Sequence, residues 1–477
     1  MGADRTAGGV AVRWKASPDR IALRRGDQAL LLDGAALRPL HVRRGAELVL
    51  RVAALEEDPG AHPALAEMLL EHGILRRPDG APPRPAPRLP RGSPFPAPRM
   101  SLYLLVTHAC NLACVYCFNG ERTYERDRPP RMERGTAEAA VRWAMARLAR
   151  GGELELVFFG GEPLLRWPLV RWVVERGEAE WRALRPDVRL RYHVTSNLTR
   201  LPRDLPDVAR AVGMTFLCDV DGPRAVQDEL RPRRSGRSSH AATVRAIGEL
   251  RRAGLRVALR ATITSRNAGD LPAVVEHHAA LGGASSALVP LNPVSSDRVA
   301  VRSSLLAPAD ELARGLGAAF DAGRFRPEEL HPFSEAVGRV RRREPRRIAC
   351  GAPFGCTPTV DARGDVYPCI YFVGIPELRM DNVHAPEPER AAQVLDRVLH
   401  QVDVDADERC RSCPLRYVCA GGCPAMLVLT SDRPALDGMR EYARSASCAV
   451  ARTVTERLLW LEAEGRSPAR RSDRSAG

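Results

Sequence analysis

Cys110-Asn111-Leu112-Ala113-Cys114-Val115-Tyr116-Cys117 is the most informative segment of this 477-residue chain. It holds three cysteines in C-x3-C-x2-C spacing and follows an apolar run over residues 102–106. Three thiolates on one short loop can bind three corners of a 4Fe-4S cluster, which ordinarily takes four cysteines, so one iron stays open to another ligand. A zinc loop is the alternative, although zinc sites favour paired C-x2-C spacings. The spacing therefore predicts a redox cluster with its chemistry at the open iron.

Charge and composition narrow the class of protein. The 72 Lys and Arg exceed the 58 Asp and Glu, which gives a net charge of +14. The basic residues are nearly all arginine, alternate with acids and accompany no recognition motif, so we expect no nucleic-acid partner. A basic surface would instead suit an acidic electron donor such as a flavodoxin or ferredoxin.

The cysteine content and the absence of targeting signals indicate a reducing compartment. No apolar run is long enough to span a membrane, and residues 1–5 lead into no signal peptide, so we expect a cytoplasmic protein without a membrane partner. The twelve cysteines are then better metal ligands than disulfide partners.

Residues 1–77 predict a small α+β domain. Short strand-like runs at residues 10–14, 21–25 and 29–32 precede helical periodicity at residues 46–55 and 64–70. Residues 78–98 are dense in proline, which predicts a semi-rigid linker and a domain boundary.

Residues 99–294 alternate predicted strands with predicted helices, which indicates a parallel sheet. Six such units fit an α/β fold built as a partial (β/α)6 barrel, with functional groups at the carboxyl ends of the strands. The predicted strands are residues 102–107, 154–159, 189–195, 214–220, 256–264 and 286–291. The clearest predicted helices are residues 137–148, 169–181, 241–252 and 271–281.

Glycines and polar residues follow several of these strands. After the second strand, Gly160 and Gly161 would let the backbone approach a ligand closely, and the Glu162 carboxylate could accept hydrogen bonds from an ammonium group. A plain turn is the alternative. Ser196 and Asn197 follow the third strand. Asp219-Val220-Asp221-Gly222-Pro223 ends the fourth strand, with Arg231 beyond it, and Cys218 reads as a buried core thiol.

Cysteines return after a predicted helical bridge at residues 295–348. Residues 349–455 form a cysteine-rich domain, and residues 456–477 end a helix and continue as a polar, disordered tail. Paired C-x2-C spacing in this domain also permits zinc. The eight cysteines are Cys350, Cys356, Cys369, Cys410, Cys413, Cys419, Cys423 and Cys448.

The first cysteine loop, with Tyr116 inside it and the glycine-glutamate turn after the second strand, resembles the radical S-adenosylmethionine (radical SAM) enzymes. In that family S-adenosyl-L-methionine chelates the open iron and is cleaved to a 5'-deoxyadenosyl radical. The resemblance implies that Cys110, Cys114 and Cys117 hold the cluster. It also implies cofactor contacts from Tyr116, from Gly160, Gly161 and Glu162 to the amino group, from Ser196 and Asn197 to the ribose, and from Arg231 to the methionine carboxylate.

The C-terminal cysteines resemble a SPASM domain, which carries two auxiliary 4Fe-4S clusters. The resemblance implies three clusters in all. Cys350, Cys356, Cys369 and Cys423 would hold the first auxiliary cluster, and Cys410, Cys413, Cys419 and Cys448 would hold the second. The N-terminal pattern is similar to the winged-helix recognition element of enzymes that modify ribosomally made peptides (a RiPP recognition element), where a leader peptide adds a strand to a sheet edge. An unspecialised N-terminal cap is the alternative.

One departure bears on the reaction. Sulfatase-maturing relatives place a basic aspartate directly after the cysteine of Y-P-C, whereas this chain has Ile370, which cannot take a proton. The resemblance therefore implies an oxidoreductase that abstracts hydrogen from a precursor peptide and installs a thioether or carbon-carbon crosslink. Side-chain oxidation of the sulfatase-maturase type and a non-catalytic zinc module are the alternatives. No catalytic base can be named from the sequence.

Overall fold

A computed structural model describes residues 14–35, 37–77, 87, 89, 95–119, 130–295, 300–431 and 433–465. Residues 10–13 of the first predicted strand, most of the predicted linker 78–98 and residues 466–477 of the predicted tail lie outside the described residues. None of the helices in the described ranges combines the length and apolar character needed to cross a bilayer.

The N-terminal segment forms a three-stranded antiparallel sheet with two helices on one face. Leu31 of the central strand packs against these helices, while its neighbours Leu30 and Leu32 point the other way, into a cluster with Leu415 and Trp460. Both faces of the central strand are therefore buried, one of them by the C-terminal part of the chain. The sheet consists of β2 Arg20–Arg25, β3 Gln28–Asp33 and β4 Leu40–Val42, and the helices are α1 Ala46–Ala54 and α2 Pro63–Glu71. The short strands β1 Lys15–Ala16 and β5 Leu75–Arg76 pair with each other.

Six parallel strands lie side by side in chain order, which confirms the α/β class and the partial (β/α)6 barrel. The alternation along each strand directs one set of side chains outward onto the helices. In the second barrel strand these are Leu154, Leu156 and Phe158. The barrel strands are β6 Ala97–Thr107, β7 Leu148–Gly160, β8 Arg189–Ser196, β9 Thr215–Asp219, β10 Val257–Ile263 and β11 Ser286–Pro290.

The sheet continues beyond the barrel at both edges. At one edge β12 Leu330–His331 pairs parallel with β11. At the other edge β13 Thr359–Val360 pairs parallel with β6, and β14 Asp365–Tyr367 and β15 Asp381–Asn382 follow it antiparallel. The described residues thus form a ten-stranded sheet shared by the barrel and the cysteine-rich part.

The four predicted barrel helices begin and end close to the predicted positions, with two differences. The helix predicted at residues 137–148 ends at Met145, and Leu148 already begins β7. The second predicted helix changes to a π-helical turn at Gly177–Trp181. The helices are α3 Arg134–Met145, α4 Trp167–Arg176, α5 Arg182–Leu184, α6 Leu205–Val212, α7 Arg224–Leu230, α8 Ser239–Arg252 and α9 Leu271–Ala280.

The C-terminal part is helical around its cysteines. The long helix α16 packs its Val454 and Leu458 side chains against Leu316 and Phe333 of the preceding bridge. Cys448 lies inside α16, so the last cysteine is carried on a rigid element. The helices are α10 Ala309–Asp321, α11 Phe333–Arg342, α12 Pro388–Val402, α13 Glu408–Arg411, α14 Arg416–Cys419, α15 Pro424–Thr430 and α16 Asp437–Ala463.

Candidate active site

The first cysteine loop leaves the carboxyl end of β6 and is fastened at several points by backbone hydrogen bonds. The Ala113 amide donates to the Pro232 carbonyl at 2.8 Å, and the Val115 amide donates to the Leu230 carbonyl at 3.0 Å. Burial raises the pKa of the Cys114 thiol, and the nearby Cys117 and Cys110 thiols act in the same direction. The structure therefore brings the three predicted cluster cysteines together.

Gly160 and Gly161 allow the end of β7 to touch the backbone that enters this loop. A Cβ on Gly160 would lie 2.2 Å from the Thr107 carbonyl oxygen, and one on Gly161 would lie 2.3 Å from that of Ala109. No side chain fits at such distances. The sequence predicted that these glycines let the backbone approach a ligand closely. In the structure they approach the backbone at the start of the cysteine loop.

Glu162 joins the ends of two barrel strands. Its side chain is 1% exposed, and its Oε1 accepts hydrogen bonds from the Leu164 amide at 2.9 Å and from the Ser196 hydroxyl at 2.8 Å. Its Oε2 accepts one from the Asn197 amide at 2.8 Å. Burial raises the pKa of Glu162 to about 7. Glu162 therefore positions Ser196 and Asn197 beside the cysteine loop, where the Asn197 side-chain NH2 donates to the side-chain Oδ1 of Asn111 at 3.1 Å.

Arg231 lies at the centre of a buried set of charges at the ends of β9 and β10. Its Nε donates to Asp221 at 2.8 Å, and its Nη1 pairs with Asp219 at 3.2 Å. Arg260 donates to the other oxygen of Asp219 at 2.6 Å, and the Tyr116 hydroxyl donates to Asp221. Burial would raise the pKa of Asp219, but the Arg231 and Arg260 guanidinium groups outweigh it and lower that pKa. Asp219 is thus held in its ionised form between two arginines at this edge of the sheet.

These elements surround one cavity of about 140 Å³. Ile370 and Tyr371, directly after Cys369, also line this cavity. The centroid of the Tyr371 ring lies 4.8 Å from that of the Phe118 ring. The structure therefore joins the barrel site to the C-terminal domain. Glu162 lies behind this lining, whereas the other predicted site residues of the barrel border the cavity: Cys110, Cys114, Cys117, Tyr116, Gly160, Gly161, Ser196, Asn197 and Arg231.

Two residues of this site were not singled out in the sequence. Arg260 is the middle residue of a predicted strand, and only the alternation along β10 places it on the inner face with Thr262. Asp221 was noted within its turn but given no partner, because its contacts depend on the register between β9 and β10.

The eight C-terminal cysteines lie near one another in two neighbouring groups, with Cys423 between them, and their division between two clusters stays a prediction. In the first group, burial raises the pKa of Cys350 to about 12, and Cys423 and Cys356 act in the same direction. Burial likewise raises the pKa of Cys369, with Cys423 and Cys350 adding to the effect. These mutual effects place Cys350, Cys356, Cys369 and Cys423 together.

The second group surrounds a cavity of about 250 Å³. Burial raises the pKa of Cys410 to about 12, and Cys419 and Cys448 add to it, while Cys413 acts on Cys448. Cys423 of the first group and the Asp407 carboxylate also line this cavity, and its thiols are the donor type that an iron-sulfur cluster takes. Among the described residues, no three His, Cys, Asp or Glu side chains converge closely enough to share one metal ion. The thiols are thus grouped, but more widely spaced than a single ion requires.

The chain is similar to known proteins over most of its length. Residues 104–276 match the radical SAM superfamily. A serine-type anaerobic sulfatase-maturating enzyme of Klebsiella aerogenes is 24% identical over 339 residues, which cover 70% of this chain and 81% of that protein. A PqqA peptide cyclase of Xanthomonas campestris pv. campestris is 28% identical over 377 residues, which cover 76% of this chain and 91% of that protein.

Solved structures share the fold. Native anSMEcpe with bound AdoMet and Kp18Cys peptide gives a TM-score of 0.63 at 16% identity, over 77% of this chain and 99% of that one. Streptococcus suis SuiB bound to precursor peptide SuiA gives 0.50 at 14% identity, over 91% of this chain and 100% of that one. The second match extends the likeness of fold over nearly the whole chain.

Proposed function

We infer that this chain, a radical SAM enzyme homologous to the sulfatase-maturating enzymes, is a peptide maturase that forms a thioether or carbon-carbon crosslink in a ribosomally made precursor. One observation carries the choice of reaction. Ile370 and Tyr371 line the cavity beside the first cysteine loop, and neither side chain is a carboxylate. The carboxylate that does line the cavity, Asp219, is paired with Arg231 and Arg260. Proton removal of the sulfatase-maturase type would require a base at position 370.

The barrel residues fit the cofactors of the family, which are S-adenosyl-L-methionine and a 4Fe-4S cluster. In the proposal Cys110, Cys114 and Cys117 hold the cluster. Glu162 lies behind the cavity lining, between Gly161 and Asn197, and would accept the ligand's ammonium group from there, because its Oε2 accepts only one of the hydrogen bonds described above and has a lone pair to spare. When bound, the cofactor pair supplies a 5'-deoxyadenosyl radical.

The other residues of the cavity wall orient the cofactor. Arg231 is already fixed by Asp221 and Asp219, so its guanidinium loses little freedom when it meets a carboxylate of the ligand. Ser196 and Asn197, held by Glu162, would border the ribose, and Tyr116, Gly160 and Gly161 would complete the lining.

The two C-terminal cysteine groups would hold two auxiliary clusters that accept the electron left on the substrate, which makes three clusters in all. If Cys356 is a ligand, the first of these clusters has four protein ligands and no iron free for substrate. An acidic flavodoxin or ferredoxin would supply electrons, and the net charge of +14 favours such a partner. Loss of reduction rate with rising ionic strength would support this partner.

The N-terminal domain offers an edge for the leader peptide. In the sheet β2-β3-β4, the outer strand Leu40–Val42 is paired only with β3 among the described strands. A leader peptide could add there through backbone hydrogen bonds. The PqqA peptide cyclase among the relatives and SuiB with its precursor peptide among the similar folds make a peptide substrate the natural choice.

Two measurements test the proposal. Anaerobically reconstituted protein with dithionite should convert S-adenosyl-L-methionine to 5'-deoxyadenosine. Short peptides encoded beside the gene should then lose one pair of hydrogens and should not react with an aldehyde probe. An aldehyde at a serine or cysteine would instead establish the sulfatase-maturase reaction, which the Klebsiella relative favours. Zinc without sulfide in the purified protein would contradict catalysis altogether.

A further inference from the structure

One buried guanidinium connects the two C-terminal cysteine groups. Arg339 of α11 is 6% exposed. Its Nη1 donates to the carbonyls of Val418 at 2.8 Å and Cys419 at 3.3 Å, which belong to the loop of the second group. Its Nη2 donates to the Ala349 carbonyl at 3.1 Å, directly before Cys350 of the first group. Arg339 therefore holds both cysteine segments with one rigid fork.

Its ion-pair partner is placed asymmetrically. The Glu335 carboxylate lies 3.4 Å from Nη2 of Arg339, and its side chain is 56% exposed. Nη2 is also the nitrogen that donates to the Ala349 carbonyl beside Cys350, whereas Nη1 donates to the Val418 and Cys419 carbonyls. The carboxylate thus lies on the side of the guanidinium that faces the first group, and Nη1 bonds directly to the loop of the second group.

Charges placed in this way affect a cluster's reduction potential. Reduction adds one negative charge, so a nearby cation stabilises the reduced form and a nearby carboxylate destabilises it; net charge and hydrogen bonding are among the main determinants of cluster potentials. The effect is strong where water is excluded, because the local dielectric is low.

We propose that Arg339 and Glu335 set the order of the two auxiliary reduction potentials, so that the second cluster is reduced more readily than the first. The inference rests on the proposed function, since it presupposes one cluster in each cysteine group. Arg339 is a positioning residue that does not touch the substrate. The first cluster would accept one electron from the substrate radical and pass it to the second. The first cluster would then be oxidised again and the second reduced by one electron. No bond is made or broken in the transfer between the clusters.

Redox titration of the holoenzyme, followed by electron paramagnetic resonance, tests the order. Arg339→Gln should lower the reduced-to-oxidised ratio of the second cluster at least tenfold at fixed potential, which is about 59 mV for a one-electron couple. Glu335→Gln should raise the same ratio for the first cluster. Arg341→Gln is the matched control, because Arg341 lies on the same helix but is exposed and paired with Glu328 and Glu462. It should shift neither potential.

Further variants and the metal content separate the possible failures. Arg339→Lys keeps the charge and should keep the reduced-to-oxidised ratio of the second cluster within threefold of wild type at the same applied potential. If Arg339 acted only through its structural contacts, Arg339→Lys would change the ratio as much as Arg339→Gln does. Unchanged potentials in an Arg339→Gln protein with full iron and sulfide would overturn the inference alone. If neither Arg339 variant retains iron, the Glu335→Gln variant decides. The inference is then overturned if the reduced-to-oxidised ratio of the first cluster does not rise in that variant. Wild-type protein without auxiliary clusters would overturn the proposed function as well.

Discussion

The guanidinium of Arg231 shows how individual side chains prepare the candidate active site. Asp221 and Asp219 fix its position, and Arg260 balances the second carboxylate. Because the charges are paired within the protein, the site does not have to reorganise them when a zwitterionic ligand binds. The same pairing supplies each buried guanidinium with a carboxylate partner at this strand edge, without which its burial would be costly.

Cysteine substitutions distinguish ligands from core thiols. Cys114→Ala should remove about four iron atoms per chain and abolish formation of 5'-deoxyadenosine, because a cluster loses one of only three protein ligands. Iron analysis and product chromatography measure the two effects. Cys218→Ala is the control: this thiol is buried among the outer core residues of β9 and should leave iron and product unchanged. Intact product formation in Cys114→Ala would contradict the cluster assignment.

His278 predicts an acid-sensitive stability. Its Nε2 donates to the Val220 carbonyl at 2.7 Å, and in the neutral ring its Nδ1 accepts from the Ser286 hydroxyl at 2.8 Å. Burial lowers its pKa from 6.5 to about 4. The unfolded state then binds the proton more readily, so stability is complete above about pH 6.5 and is lost as the pH falls toward 4.

Denaturant unfolding at pH 7.5 and 5.5 measures this contribution, which should be about 1 kcal/mol between the two values. His278→Gln should remove this part of the pH dependence. His400→Gln, at an exposed position of α12, should leave it unchanged. An unaltered slope in His278→Gln would show that other groups cause the acid sensitivity.

Sequence reasoning succeeds at single residues where spacing along the chain carries the information. The cysteines were identified by spacing, and the structure places them near one another, while their role as ligands stays a prediction. Arg260 and Arg339 could not be identified in this way. The role of Arg260 depends on strand register, and that of Arg339 on the packing of α11 between segments 10 and 79 residues away.

At the scale of elements, the end of β7 depends on glycine. Gly161→Ala should destabilise the protein by about 3 kcal/mol and reduce cluster loading, because its Cβ would overlap backbone atoms that cannot move independently. Gly248→Ala is the matched change: Gly248 lies inside α8 with nothing within 4 Å of a new Cβ. It should stabilise the protein by about 0.5–1 kcal/mol. Thermal unfolding of the two variants, which should move in opposite directions, checks both expectations.

The predicted elements were most accurate where the apolar period was strong. The strands at residues 189–195 and 286–291 differ from β8 and β11 by one residue. The start of β7 was missed by six residues, because Arg150, Gly151 and Gly152 interrupt the alternation before Leu154. The short helices α6 and α7 were also missed, since seven or eight residues carry too little periodicity to be distinguished from a loop.

At the scale of the whole molecule, the N-terminal domain supports the second cysteine group. Asp19 pairs with Arg416 at 2.7 Å, and the two side chains are 8% and 12% exposed. A Cβ on Gly34 would lie 2.4 Å from the Pro414 carbonyl oxygen, so the two backbones are in direct contact. Pro414 and Arg416 both lie between Cys413 and Cys419. Order in this loop therefore depends on the distant N-terminal sheet.

Asp19→Asn should therefore destabilise the protein by about 2–3 kcal/mol, because it leaves the buried Arg416 guanidinium without its closest counter-charge. It should also lower the iron content through loss of the second auxiliary cluster. Asp310→Asn is the control, since Asp310 and Arg314 form an exposed pair. That variant should stay within about 0.5 kcal/mol of wild type. Full iron content in Asp19→Asn would contradict support by the N-terminal domain.

The contact between chain ends could not have been predicted from local patterns. The continuous apolar run in β3 indicates a strand buried on both faces, but it does not name the partner of the second face. The cluster of Leu30 and Leu32 with Leu415 and Trp460 joins residues about 380 to 430 positions apart, and no periodicity along the chain indicates such a pairing.

The sheet shared between the barrel and the cysteine-rich part also governs how the protein can be divided. The Ser101 and Tyr103 amides of β6 donate to the Cys356 and Pro358 carbonyls at 2.9 and 2.8 Å. A truncated protein that ends with the barrel would leave these donors open along the eleven-residue β6. An exposed edge strand of this kind can pair with the same strand of another copy. The fragment should therefore associate or precipitate, even if its hydrophobic core is well packed.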